Sequence, residues 1–215
     1  PTKTEQSDLF QALYGRSGES PLVVIAASTP DNCFNYAYIA SKIALEYITP
    51  VILLTDGYLG NGSSLWKLPK LEELPEIIPH YVKPGMEGCK VTTRDEKTKI
   101  PYRSIPGMKG FCHCNGGLEK DYTTGNLSTD PINHEKMVLA RQEKINNVAN
   151  IIPDIQIAGN KDADLLVVGW GSTYGHLISA INLLNNEGYK LALAHFNYLF
   201  PLPKNTEEVI KRYKK

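Results

Sequence analysis

Four groups of residues in this sequence have the types and spacing to do chemistry. Gly169-Trp170-Gly171-Ser172-Thr173-Tyr174-Gly175 joins an apolar run to a helical pattern, the place of a phosphate-binding loop. Its third glycine falls one residue too late for G-x-G-x-x-G, and the next apolar run ends at His195-Phe196 without an acid to hold a ribose. A tight turn with close backbone packing is the better reading, and a nucleotide-binding module using the Gly169–Gly175 loop is the alternative. Cys112-His113-Cys114, with Cys89 and His80 or His134 at a distance, supplies nitrogen and sulfur donors for zinc. Structural zinc sites join pairs spaced C-x(2–4)-C, so a free-thiol loop is expected, no metal is assigned, and a zinc-stapled interaction domain is the alternative.

Thr55-Asp56-Gly57 follows a strand-like run, and open α/β sheets bind ligands at the carboxyl ends of their strands. Thr2, Lys3 and Thr4 gather two hydroxyls and an ammonium at a helix start, which suits an anion such as a carboxylate. Asp56, Gly57, Thr2, Lys3 and Thr4 are therefore the candidate substrate- or cofactor-proximal residues. No Ser-His-Asp or Cys-His arrangement can be drawn from the five histidines, so no catalytic residue is expected in this span.

The elements that must position these groups follow from hydrophobic period and punctuation. Thr2 and Glu5 have capping-box spacing ahead of Leu9, Phe10, Leu13 and Tyr14, which predicts a short helix before Gly15. Leu22–Ala27 reads as a buried parallel strand, and Thr29-Pro30 opens a helix whose apolar stripe runs from Phe34 to Ile48. Thr49-Pro50 stops it before a second strand, Val51–Thr55. From Asp56 to Asp130 Gly and Pro recur, as at Pro69, Pro75, Pro79 and Pro84, which excludes long helices and central strands. Asp130-Pro131 starts a helix of mixed apolar and charged residues expected on a surface. Asp164–Gly169 predicts a third buried strand, Leu177–Leu184 a helix, Leu191–His195 a fourth strand, and Asn205 with Glu208 a last capped helix.

Acidic and basic residues balance at 23 each, so no net field draws the chain to nucleic acid or anionic lipid. No apolar run reaches bilayer length and no signal-peptide pattern opens the chain, which makes the cytoplasm the expected location. The predicted fold class is α/β, with two incomplete parallel-sheet units. The boundaries are 1–80 for the first unit, 81–130 for an irregular arm and 131–215 for the second. The opening on Pro1 and the shortage of strands predict an internal piece of a larger protein.

Longer strings carry a resemblance. PTKTEQSDL from Pro1, ALYG from Ala12, TPVILLTDG from Thr49, GGLE from Gly116, NHEKMV from Asn133, DADLLVVGWGSTYG from Asp162 and PLPKN from Pro201 resemble, in this order, the α subunit of 2-oxoacid:ferredoxin oxidoreductases of the 2-oxoglutarate type. Phe111-Cys112-His113-Cys114 departs from the family pattern. The resemblance implies a thiamin-diphosphate-enzyme fold, the first unit being the C-terminal part of a pyrimidine-binding-type domain and the second the start of a domain like the C-terminal domain of transketolase. It implies oxidative decarboxylation of 2-oxoglutarate to succinyl-CoA with electrons passed to ferredoxin. It places thiamin diphosphate, Mg2+ and an iron–sulfur cluster in the full complex with a β subunit, and none on this chain alone. On that reading the isolated chain is inactive.

Overall fold

The computed structural model describes residues 6–113 and 116–215. Four consecutive apolar residues make β1 (Val23–Ala26), and all four are buried because β1 is covered on both faces. Val23 and Ile25 face a cluster with Ile43 and Tyr47 of α2 (Cys33–Tyr47) and Ile145 of α4 (Pro131–Asn146). Leu22 and Val24 pack with Ala12 of α1 (Gln6–Tyr14) on the opposite side. This two-sided burial is why the run shows no polar alternation. The capping pair Thr2 and Glu5 lies outside the described residues.

Two mixed three-stranded sheets form, in place of two purely parallel ones. In the first, β1 pairs in parallel with β2 (Val51–Leu54) and antiparallel with β6 (Tyr198–Phe200). In the second, β5 (Leu191–Phe196) pairs in parallel with β4 (Leu165–Trp170) and antiparallel with β3 (Ile157–Gly159). The expected parallel pairs are present. The added antiparallel strands have three residues each, too few to display a period. β4 is also less buried than its sequence predicts: as the edge strand it leaves Leu165 and Val168 exposed. Helix α5 (Tyr174–Asn186) packs on β5, and α6 (Thr206–Arg212) brings Val209 to the Ala194 and Phe196 face. Asn205 does not cap α6 with its side chain. Its amide instead forms two hydrogen bonds with the backbone of Ile155, at 2.9 and 3.0 Å.

Helix α4 is not a surface helix. Its cap forms as expected, Asp130 accepting from Ile132 N at 3.1 Å, but Asn133, Met137, Ala140, Lys144 and Ile145 turn one stripe into the core. Ile145 joins Val23 and Ile25 of the first sheet, so this helix covers a sheet whose β1 and β2 lie far upstream of it. Lys144 is carried inward with the stripe, and its Nζ donates to the Ile48 carbonyl at 2.8 Å.

The proline-rich stretch is ordered by what it lies against. Tyr38, Lys42 and Glu46, one stripe of α2, bond the backbone of Pro75, Glu76 and Ile78, so prolines lacking a donor are held through carbonyls and their neighbours. Further on, Pro84-Gly85-Met86-Glu87-Gly88 and Pro106-Gly107-Met108-Lys109-Gly110 form the same double turn. Glycine φ values are 90° and 88° in the first and 91° and 87° in the second. The amides of Lys83 and Ile105 both point to a methionine sulfur, at 3.4 and 3.3 Å. Equivalent residues meet between the copies: His80 stacks on Tyr102 and Tyr81 bridges in parallel to Arg103. The arm thus contains two adjacent copies of one unit.

Burial, then the charges of Arg94 and Arg141, push the Lys144 pKa down to about 8 from 10.5. The unfolded chain holds that proton more tightly, so the burial penalty is full below pH 8 and is relieved as pH rises toward 10.5. Denaturant unfolding should show the protein gaining roughly 2–3 kcal/mol over that window relative to Lys144→Met. Parallel pH curves for the two proteins would show that Lys144 is solvated.

Candidate functional site

The carboxyl ends of β1, β2, β4 and β5 converge where the two sheets meet. Asp56 follows β2 and caps α3 (Gly57–Asn61), its Oδ1 accepting from Leu59 N at 3.0 Å. Its Oδ2 accepts from the hydroxyl of Ser172, in the loop after β4. One carboxylate therefore ties the loops of both sheets, and Gly57 is the first residue of the short helix it caps. Ser172 is its partner from far along the chain, one that local spacing in the sequence does not reveal.

The Gly169–Gly175 segment is a tight turn and not a phosphate cradle. A Cβ on Gly169 would come within 2.2 Å of Leu177 Cδ1, so glycine lets α5 pack closely on β4. Gly171 has φ 62°, and a Cβ there would lie 4.0 Å from the Ala27 carbonyl oxygen at the end of β1. The hydroxyls of the loop are committed, Ser172 to Asp56 and Thr173 to the Trp170 carbonyl at 2.7 Å.

After β1 the Asn32 side chain organises the next loop, its Oδ1 accepting from Ser28 N and Thr29 N at 3.1 and 3.2 Å. Thr29 first, and Ser64 with it, hydrogen-bond Asp31 and hold its carboxyl below the ordinary range against the cost of burial. Cys33 sits beside these acids. Burial, then the charges of Asp31 and Asp56, push its thiol up, the opposite of what a nucleophile needs.

Between this loop and the second sheet lies a cleft of about 540 Å3. Ser28, Asn32, Tyr36 and Tyr198 line it from the first sheet's side, and Tyr174, His195 and Asp154 from the second's. Burial drives the His195 pKa down to about 4, against hydrogen bonding to the backbone of Gly171 and Trp170, and its Nε2 is buried without a hydrogen-bond partner.

Of the candidates from the sequence, Asp56 and Gly57 stand at this junction. Thr2, Lys3 and Thr4 lie outside the described residues. Cys33, Cys89 and Cys112 are free thiols, and Cys114 lies outside the described residues. Among the described residues no group of three or more His, Cys, Asp or Glu side chains could hold a metal ion, and no helix is long and apolar enough to cross a membrane. The sequence shows Ser172 only as a member of the glycine loop and His195 only as the end of an apolar run, and neither is a candidate site residue there. The signal available for both was position, since each lies at or just beyond the carboxyl end of an apolar run.

Junctions of this kind, where strand ends of two α/β units meet, are where cofactor enzymes of this architecture place their ligands. Residues 1–113, more than half of the chain, match the family model described as pyruvate flavodoxin/ferredoxin oxidoreductase, thiamine diphosphate-binding. The chain belongs to that family. It is 46% identical, over its whole length, to the 2-oxoglutarate oxidoreductase subunit KorA of Mycobacterium tuberculosis, and covers 33% of that protein. It is 30% identical over 95% of its length to the 2-oxoacid:ferredoxin oxidoreductase subunit alpha of Saccharolobus solfataricus, again covering 33%. The chain thus spans about a third of the length of these relatives. A 2-oxoglutarate:ferredoxin oxidoreductase from Magnetococcus marinus, solved with 2-oxoglutarate, coenzyme A and succinyl-CoA bound, matches the whole chain with a TM-score of 0.87 and 31% identity, over 37% of its own chain.

The cleft does not fit the diphosphate of the cofactor that the family model names. Among the described residues lining it there is no Lys or Arg, and two carboxylates, Asp31 and Asp154, would oppose a polyanion.

A double-mutant cycle tests the junction. Ser172→Ala and Asp56→Ala should couple by about 1.5–3 kcal/mol in unfolding free energy, as a hydrogen bond to a charged group does. Additive effects would mean that the bond contributes nothing to stability.

Proposed function

We propose that this chain is part of the α subunit of a cytoplasmic 2-oxoglutarate:ferredoxin oxidoreductase. The enzyme releases CO2 from 2-oxoglutarate, transfers the succinyl group to CoA and passes two electrons to ferredoxin. The observation supporting this most strongly is end-to-end similarity: 46% identity across the chain to a 2-oxoglutarate oxidoreductase subunit, with the fold matched over the same span by an enzyme solved with 2-oxoglutarate. Thiamin diphosphate, Mg2+ and the iron–sulfur cluster are held in the complex with a β subunit, in keeping with the misfit of a diphosphate to the cleft. In this reading residues 1–80 continue a pyrimidine-binding-type domain, 81–130 form the arm, and 131–215 begin a domain like the C-terminal domain of transketolase. The chain in isolation is inactive and supplies part of a wall of the site.

In this reading Lys3 pairs with the distal carboxylate of 2-oxoglutarate, a group pyruvate lacks, and Thr2 and Thr4 are its substrate-proximal neighbours in the sequence. Asp56 and Gly57 shape the loop at the strand ends. A charge-assisted hydrogen bond contributes about 1.5–3 kcal/mol, so in the complete enzyme Lys3→Ala should lower kcat/KM for 2-oxoglutarate roughly 10- to 100-fold. Pyruvate turnover should change much less, and Thr2→Ala should chiefly affect stability, by about 1 kcal/mol. An unchanged preference between the two oxoacids in Lys3→Ala would remove Lys3 from substrate selection.

A further inference from the structure

A second pocket, of about 340 Å3, lies between the turn after β1, the start of α2 and the loop that follows α3. Its walls include Pro30, Asp31, Phe34, Ser64 and Trp66. The loop approaches this closely because residue 62 is glycine: a Cβ there would come within 3.3 Å of Pro30 Cγ. Ser64 Oγ donates to Asp31 Oδ1 at 3.0 Å, which sets the carboxylate in the wall of the pocket. Phe34 of α2 and Trp66 of the loop bring their rings together beside it, with centroids 5.4 Å apart and planes tilted by 51°. Neither ring is packed away, Phe34 being 41% and Trp66 42% exposed.

A carboxylate beside two accessible aromatic faces is a site for a cation. Asp31 is held ionised by hydrogen bonds from Thr29, from Ser64 and from its own backbone, which outweigh the cost of burial. These occupy most of the roughly four acceptor positions of a carboxylate and leave room for a further donor. No lysine or arginine stands among the described lining residues to neutralise it. A guanidinium suits this arrangement better than an ammonium. It is planar and weakly hydrated, so it can stack on an aromatic face while an N–H at its edge donates to the carboxylate.

The surroundings of the pocket indicate what carries that group. Leu65, Leu68 and Leu71, on either side of Trp66 in the chain, are exposed, Leu65 completely. A free cation would leave these side chains in water, whereas a protein surface presenting an arginine covers them. An arginine seated among aromatic rings, with apolar contacts around it that exclude water, has the anatomy of an interface hot spot.

We propose that Asp31, Phe34 and Trp66 form a cage for an arginine side chain presented by a second polypeptide, the residues flanking that arginine covering Leu65, Leu68 and Leu71. This goes beyond the oxidoreductase reading, which assigns no role to Phe34 or Trp66.

Titration calorimetry of the full-length protein with short peptides tests the cage. The probe is acetyl-Ala-Leu-Arg-Leu-Ala-amide, compared with the same peptide carrying citrulline, the neutral isostere of arginine, and with acetyl-arginine-amide alone. The expected result is saturable binding of the arginine peptide at one site per chain, with the citrulline peptide at least about tenfold weaker through loss of a charge-assisted hydrogen bond. Asp31→Asn should weaken the arginine peptide about tenfold and the citrulline peptide little, a difference that a merely structural role would not produce. Should Asp31→Asn fail to fold, Trp66→Leu, at a half-exposed loop position, serves instead and should weaken the arginine peptide about tenfold. Asp164→Asn, at an exposed carboxylate outside the pocket, should change nothing. Absence of saturable binding, equal binding of the citrulline peptide, or unchanged affinity in both Asp31→Asn and Trp66→Leu would each overturn the proposal. So would acetyl-arginine-amide binding as tightly as the peptide, which would make the site one for a free cation. None of these outcomes involves oxoacid turnover, so they leave the oxidoreductase reading to its own assay.

Discussion

The structure depends on how Asn197 joins its two sheets. This residue stands between β5 of the second sheet and β6 of the first, so one continuous segment serves both. Its backbone carbonyl accepts from Ala26 N at 2.7 Å and its side-chain amide donates to Ala26 O at 2.8 Å. Both polar groups of a buried strand residue are thereby satisfied at the one place where a regular ladder cannot continue, because the β1–β6 register shifts between Val24 and Ile25. Tyr198, one residue on, is buried in the main core with Val23 and Ile25.

The geometry of the site follows from that join. With the end of β5 fixed against the end of β1, Gly171 comes near Ala27, Ser172 reaches Asp56, and the cleft opens between the two sets of strand ends. Helix α4 reinforces the arrangement by covering the first sheet, with a buried lysine as the cost of its mixed sequence. The arm is held from outside, by the polar stripe of α2 and by pairing between its own two copies.

Legibility in the sequence followed element length and burial symmetry. β1 was readable because both its faces are covered, and α5 because its stripe is regular and Gly188 ends it. β3 and β6 were not, since Ile157–Gly159 and Tyr198–Phe200 are shorter than any period. The sequence of α4 reads as a surface helix because its charges mask a stripe that includes Lys144, whose stem buries while its ammonium finds a carbonyl. Asp56 was found by its position after a strand. Ser172 sits in a glycine loop that resembles a phosphate-binding turn, while its partner Asp56 is 116 residues away, beyond any local pattern. The duplicated Pro-Gly-Met-x-Gly turn was open to self-comparison of the sequence, which is where short repeats declare themselves.

The claim that Asn197 pins the sheets into one cooperative unit is tested most directly by amide hydrogen exchange and denaturant unfolding of Asn197→Leu. Leucine keeps the approximate size and removes the side-chain donor, leaving the Ala26 carbonyl unpaired. The account predicts a loss of about 2–4 kcal/mol, faster exchange at Ala26 than at the centre of β5, and separate transitions for the two sheets. A single transition with unchanged midpoint and undiminished protection at Ala26 would contradict it.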